Sequence, residues 1–390
     1  MDFIFAVNIL ALLFSLFVAG VLLGVLFSET VRKKVAEIRQ KIFRKLHLER
    51  HPANPILRPG TSPWTAEATF NPAAAVINGR THLIYRAIGT DGVSRLGYAS
   101  SPDGYLFDER LPYPVYVSQK PSGAPAHLRR YSPVMYPSGG SWGGCEDPRM
   151  VTIEGRIYMT YNAFDGWNFI RVACVSIDEE DLLEKRFWKW RPMHLLSPEG
   201  QIHKNWVIFP EKIRGKFAIL HSIVPKVEIE YRDSIDAIGT TEPYIKSWEG
   251  PRQCAAGPED NWDNVIRGAG PPPIKTDKGW LLFYHATRAT ERHLYKLGAM
   301  LLDLEDPTRV LYRAATPILS PDARYENEGK PGIVYACGAV VLNRTLFIYY
   351  GGADKVVCVA TAPLAEFLDA LIEGNRPLLD TTAAQTFNSY

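Results

Sequence analysis

The chain has 390 residues, 46% of them hydrophobic and 22% charged, with a formal net charge of +2. That is enough for one large domain or two ordinary ones, and it excludes a disordered, collagen-like or coiled-coil chain. The near-neutral balance argues against a nucleic-acid partner.

Residues 3–27 contain no charged side chain. As a helix they would extend about 37 Å, against about 30 Å of bilayer hydrocarbon. Residues 1–28 are therefore expected to form a transmembrane anchor. A cleaved signal peptide is the alternative, but Met1-Asp2 supplies no positive leader. Gly20 and Gly24 form a G-x-x-x-G pair that suits helix dimers, so a homo-oligomer is among the expected partners. Residues 29–50 hold eight Lys or Arg against three Glu, a net of +5. The positive-inside rule then gives a single-pass protein whose catalytic domain is cytoplasmic. Val31, Val35, Ile38, Ile42 and Leu46 recur at helical spacing between the basic residues. The segment 29–50 reads as a basic amphipathic juxtamembrane helix, with a plain helical stalk as the alternative.

From about Asn54 onward the helical period disappears. Short apolar and aromatic runs alternate with Gly, Pro, Asn and Asp, which is an all-β signature. One unit recurs at residues 71–87, 147–163, 209–222, 271–286 and 336–351: a strand, a tight turn, and a strand ending in an aromatic or His. Its end residues Tyr85, Tyr161, His221, His285 and Tyr350 are 76, 60, 64 and 65 residues apart. Five such units predict an all-β, five-bladed β-propeller over residues 51–375, carried on the N-terminal transmembrane helix. A β-sandwich is the alternative, but it has no need of five matching units. Residues 363–372 read as one amphipathic helix, and 376–390 as a C-terminal tail. The five cysteines (Cys145, Cys174, Cys254, Cys337, Cys358) include no C-x-x-C pair and read as reduced buried thiols. No metal and no organic cofactor are expected.

In a closed ring of blades, polar residues at the repeat ends converge near the axis. Arg86, Asn162, His221, His285 and Asp354 stand at such ends and predict a polar, ionisable pocket. Several stretches are more specific than the repeat: G-C-E-D-P-R at 144–149, H-K-N-W at 203–206, and G-A-G-P-P-P-I…G-W-L-L-F-Y-H at 268–285. With Asn71-Pro72, Tyr85-Arg86, Y-K-L-G at 295–298, Tyr325-Glu326 and G-G-A-D at 351–354, they resemble glycoside hydrolase family 130, the β-mannoside phosphorylases and β-mannosidases. The resemblance covers residues 54–372 and carries the same five-bladed propeller.

The resemblance implies a role for each matching residue. Asp147 matches the general acid, which in the phosphorylases acts through a hydroxyl of the mannosyl unit. Asn71, Arg86, Glu326 and Asp354 match substrate-binding positions. Lys204, His285 and Tyr295 match positions around inorganic phosphate. The expected partners are thus a β-mannoside oligosaccharide or glycoconjugate and inorganic phosphate as co-substrate. Phosphate needs cationic and neutral donors to hold it in line with the bond it breaks. An inverting hydrolase instead needs a second carboxylate to activate water, and Asp354 or Glu326 could serve. One departure matters: Ser222 stands where many family phosphorylases have a phosphate-binding Arg, and a hydroxyl offers neither charge nor a fork of donors. The expected reaction is inverting phosphorolysis of β-D-mannosides to α-D-mannose 1-phosphate. Inverting hydrolysis is the alternative, and a non-catalytic carbohydrate-binding propeller is a second.

Overall fold

The computed structural model describes residues 46–118, 128–165, 170–247 and 261–374. It begins with a short strand, β1 (Glu49–Arg50), followed by five blades of antiparallel strands in chain order, the first two joined into one sheet by a short parallel pairing of Val93 and Ser94 with Gly143 and Gly144. Blade 1 contains β2 (Ala68–Ile77), β3 (Arg80–Ile88), β4 (Val93–Ser101) and β5 (Glu109–Arg110). Blade 2 contains β6 (Gly143–Ile153), β7 (Arg156–Asp165), β8 (Ile170–Asp178) and β9 (His194–Leu195), with helix α1 (Glu179–Leu183) before its last strand. Blade 3 contains β10 (Val207–Ile208), β11 (Phe217–Ser222) and β12 (Glu228–Arg232). In blade 4, β13 (Val265–Ala269) and β14 (Ile274–Thr276) both pair with β15 (Gly279–Arg288), followed by β16 (Glu291–Leu302) and β17 (Val310–Arg313). The inner edge of blade 4 is split because Pro271, Pro272 and Pro273 have no N–H to give a ladder. Blade 5 contains β18 (Val334–Leu342), β19 (Thr345–Gly352) and β20 (Val356–Pro363), and helix α2 (Leu364–Glu373) follows it.

The strands read as continuous apolar runs because each sheet is covered on both faces. Successive side chains of a strand enter different cores. On β19, Leu346, Ile348 and Tyr350 pack into the core between blades 4 and 5, while Phe347 and Tyr349 pack into the core between blades 5 and 1. On β15, Leu281 and Phe283 face blade 5, whereas Trp280, Leu282 and Tyr284 face blade 3. Two further cores lie between blades 1 and 2 and between blades 2 and 3. Five cores thus serve five interfaces, and the ring is closed.

β1 ties the start of the described chain to the last blade. Glu49 and Arg50 pair antiparallel with Thr361 and Ala360, adding an outer strand to blade 5. Arg50 donates from Nε and Nη2 to the two carboxylate oxygens of Glu326, at 2.8 and 2.9 Å. Glu326 is fully buried and also accepts from Tyr350 Oη and Ala323 N, each at 2.8 Å. The final residues of the segment 29–50, expected as helix, are therefore propeller strand, and Leu48 is buried in the core between blades 4 and 5.

The fold description expected from the sequence is corrected in one respect. Among the described residues no helix is long and apolar enough to cross a membrane. The all-β description accordingly stands without a transmembrane helix, and the membrane-anchored location with a cytoplasmic catalytic domain is withdrawn with it. Residues 3–27, on which that expectation rested, lie outside the described residues, as do residues 29–45 and the tail 376–390.

Replacing Arg50 would leave Glu326 buried without its cation. We expect Arg50→Met to lower unfolding free energy by about 3 kcal/mol, read from urea denaturation of the full chain. An unchanged midpoint would show that this tie adds nothing to stability.

Candidate active site

The innermost segments of the blades share a local irregularity. Asn71, Asp147 and Asn205 have φ of 46°, 51° and 65°, and Gly268 has φ of 124°. The ladders of β2, β6 and β13 are interrupted at Phe70/Ala73, Glu146/Arg149 and Ile266/Gly268. Asn and Asp tolerate the left-handed region better than other residues with a Cβ. Pro72 and Pro148 follow two of them and cannot donate to the ladder. The backbone therefore turns at the axis, and Asn71, Asp147, Asn205 and Gly268 line one cavity of about 480 Å³. Asp354 reaches the same cavity from the turn between β19 and β20, with φ of 51°. Gly351 beside it must lack a side chain, since a Cβ there would lie 2.0 Å from Asn71 Oδ1.

Asp147 is 5% exposed. Its Oδ1 accepts from Asn71 Nδ2 at 2.8 Å and from Arg86 Nη1 at 3.1 Å. The buried Arg86 guanidinium also donates to Ser94 Oγ, Ser141 Oγ, the Ser138 carbonyl and Glu146 Oε1, at 2.7–2.9 Å. Arg149 lies under the site, donating to the carbonyls of Asp147 and Gly270 and to Asn205 Oδ1. It ties blades 2, 3 and 4 together and does not line the cavity. Burial alone would push the Asp147 carboxyl up, but Arg86, Arg149 and Lys204 together hold it below the usual carboxylate range. Asp354 goes the other way. Burial raises it and the Asp147 charge adds to the rise, opposed by Lys330, whose Nζ is 3.5 Å away, and by Arg86. Two acids in one cavity are thus driven apart, one towards the anion and one towards the acid form.

Of the eight residues to which the resemblance gives a role, six line the cavity: Asn71, Arg86, Asp147, Lys204, Tyr295 and Asp354; of the other repeat-end residues, His221 lines it and Asn162 does not. Lys204 Nζ lies 3.2 Å from Ser138 Oγ and 3.4 Å from Glu146 Oε2. Glu326 and His285 do not line it. Glu326 is committed to Arg50 of β1. His285 is fully buried, its Nε2 accepts from Ala336 N at 2.9 Å, and its ring stacks on Tyr335 at 3.9 Å. Burial, reinforced by Arg149, holds its pKa at about 3, so the ring is neutral, and its Nδ1 has no hydrogen-bond partner among the described residues. Two cationic side chains of the cavity were missed, Lys330 and Arg267. Neither lies in a repeat-end position, and only the folded ring brings them to the axis. Among the described residues no cluster of His, Cys, Asp or Glu could hold a metal ion, and the four described cysteines are buried and unbridged.

Comparison with known proteins shows the family. A family model for glycoside hydrolase family 130, described as β-1,4-mannooligosaccharide phosphorylase, matches residues 47–373. A 1,2-β-oligomannan phosphorylase of Thermoanaerobacter sp. (strain X514) is 37% identical over 325 residues, covering 81% of this chain and 97% of that protein. A β-1,2-mannobiose phosphorylase of the same organism is 33% identical over 321 residues, covering 78% and 94%. A solved structure superposes with a TM-score of 0.60 at 26% identity, covering 80% of this chain and 93% of that one. It is described with the statement that the GH130 family of mannoside phosphorylases contains glycoside hydrolases that target β-1,2 mannosidic linkages in Candida mannan.

The neutral His285 has a consequence for stability. Its folded pKa of about 3 lies below the unfolded 6.5, so the unfolded chain takes up the extra proton as pH falls. The stabilisation is complete above pH 6.5 and is lost progressively on acidification. His285 alone should cost on the order of 2 kcal/mol between pH 7.5 and 5. His82 and His221, both held at about 4 by burial, add to the same trend. We expect His285→Gln to flatten the dependence of unfolding free energy on pH, measured by denaturant titration at each pH. The same slope in both proteins would mean that the ring is already charged in the folded state.

Proposed function

This chain belongs to glycoside hydrolase family 130, and from that premise we propose that it cleaves β-1,2-linked mannosides by inverting phosphorolysis. Phosphorolysis of β-mannosides is the activity of the phosphorylases it resembles. The β-1,2 linkage follows the two Thermoanaerobacter relatives. The observation that supports the assignment of roles is the pairing, in one cavity, of a carboxylate held by Asn71 and Arg86 with the donors Lys204 and Tyr295.

In this reading a phosphate oxygen attacks the anomeric carbon as the glycosidic C–O bond breaks. The electron pair of that bond goes to the leaving oxygen, which takes a proton, and the products are α-mannose 1-phosphate and a shortened mannoside. Asp147 is the acid, relaying its proton through a mannosyl hydroxyl. The surrounding cations favour its anion, so it must gain a proton before it can give one. Phosphate arriving beside Lys204 offsets part of that positive field and raises the Asp147 pKa towards the working range. Proton uptake is thereby coupled to co-substrate binding. Asn71, Arg86 and Asp354 hold the mannosyl unit, and Asp354, driven towards its acid form, can donate to a sugar oxygen as well as accept.

One observation favours inverting hydrolysis as the second reading. Ser222, at the expected phosphate position, donates its hydroxyl to the Val224 carbonyl at 3.0 Å. Asp354 would then activate water, since Glu326 is bound by Arg50, Tyr350 and Ala323.

The two reactions separate cleanly. The full chain is incubated with β-1,2-mannobiose, with and without inorganic phosphate, and followed by phosphorus NMR. A new sugar-phosphate signal is expected, and Asp147→Asn should slow its appearance by about 10²- to 10⁴-fold. Mannose released equally with and without phosphate would replace phosphorolysis by hydrolysis.

A further inference from the structure

The cations around the cavity are not equally available. Arg86 is clamped between Glu146 and Asp147. Lys330 is shared between Asp354 and the Pro137 carbonyl. Lys204 lies against Glu146. Arg267 differs from all three. It is exposed at the cavity wall, and among the described residues no carboxylate pairs with its guanidinium. Its guanidinium lies over the Tyr295 ring, 5.4 Å from the centroid.

The backbone that presents it is held firmly. Arg267 lies inside the β13 irregularity, next to Gly268 with its φ of 124°. Its carbonyl accepts from Asn205 Nδ2 at 3.2 Å. A Cβ on Gly268 would come within 3.0 Å of that same amide nitrogen. Asn205 in turn is fixed by Arg149 and by Tyr335 Oη. Arg267 is therefore fastened to the residue next to Lys204, across the boundary between blades 3 and 4. On the blade 3 side, Ser222 is turned onto its own backbone and brings no charge.

We propose that Arg267 binds the inorganic phosphate co-substrate, supplying from blade 4 the guanidinium that Ser222 does not supply from blade 3. With Lys204 and Tyr295 it forms a three-donor anion site, in which the guanidinium fork contacts two phosphate oxygens. The Tyr295 ring under the guanidinium limits its rotation and orients the fork. This rests on phosphorolysis as the reaction.

The test measures phosphate binding apart from turnover. Equilibrium dialysis of labelled inorganic phosphate is run against the full chain and against Arg267→Met, Arg267→Lys and Arg267→Met/Ser222→Arg. Thermal unfolding confirms that each variant is folded. Arg267→Met should weaken phosphate binding and raise the phosphate KM by about 10- to 100-fold, with the mannoside KM unchanged within about twofold. Arg267→Lys should retain part of the affinity. Ser222→Arg should restore binding in the Met background, by returning a guanidinium to blade 3. Equal phosphate binding in Arg267→Met and the parent overturns the proposal, and so does a parent chain that binds no phosphate. Sugar phosphate formed at an unchanged phosphate KM by Arg267→Met rejects the residue while keeping the reaction. Phosphate-independent mannose release rejects the reaction itself.

Discussion

A guanidinium buried with almost no access to water must find charge and hydrogen bonds within the protein, and Arg86 finds both. It spans two carboxylates, Glu146 and Asp147, and draws the Ser138 carbonyl and two serine hydroxyls around itself. Much of the site depends on this one side chain. It comes from the second strand of blade 1 and its acids from the first strand of blade 2, so it joins the blades as it assembles the cavity. With Arg149 and Lys204 it holds the Asp147 carboxyl below the usual carboxylate range, and by occupying Glu146 it limits how much of that acid remains for Lys204. The electrostatic state of the site is thus built into the packing.

The repeat was legible because it is a property of composition. A sheet covered on both faces needs apolar residues at every position, and a hairpin needs Gly or Asn at its tip, so each blade carries a visible signature. The family motifs were legible too, and they located six of the eight chosen residues at the cavity wall. Glu326 and His285 show where such reading stops. Their motifs specify a carboxylate and an imidazole but not the direction in which they face. Glu326 faces Arg50, some 276 positions away in sequence, in a segment that read as the end of a basic helix. His285 faces the Ala336 amide of the next blade. Arg267 and Lys330 had the opposite problem: as single basic residues outside the repeat ends, they had no pattern to mark them.

The charge-free segment 3–27 shows a different limit. Hydropathy and flanking charge describe what a stretch could do if it were helical. The described part of the molecule has no membrane-crossing helix, and its all-β architecture is complete without one. Of the basic segment, the part that enters the described fold is the part with the fewest basic residues, and it enters as a strand.

The strand Glu49–Arg50 also sets an order of events. It is made early and pairs with a strand about 300 residues later, at Ala360 and Thr361. At ribosomal rates of about 5–20 residues per second, its edge and the Arg50 side chain wait roughly 15–60 s for their partners. Blades 1 to 4 can collapse on one another during that interval, but the ring cannot close. A nascent chain of this protein is an open arc, with an unpaired strand at one end and an uncovered sheet face at the other. Its exposure to proteases and to other nascent chains ends only when the last blade has left the ribosome.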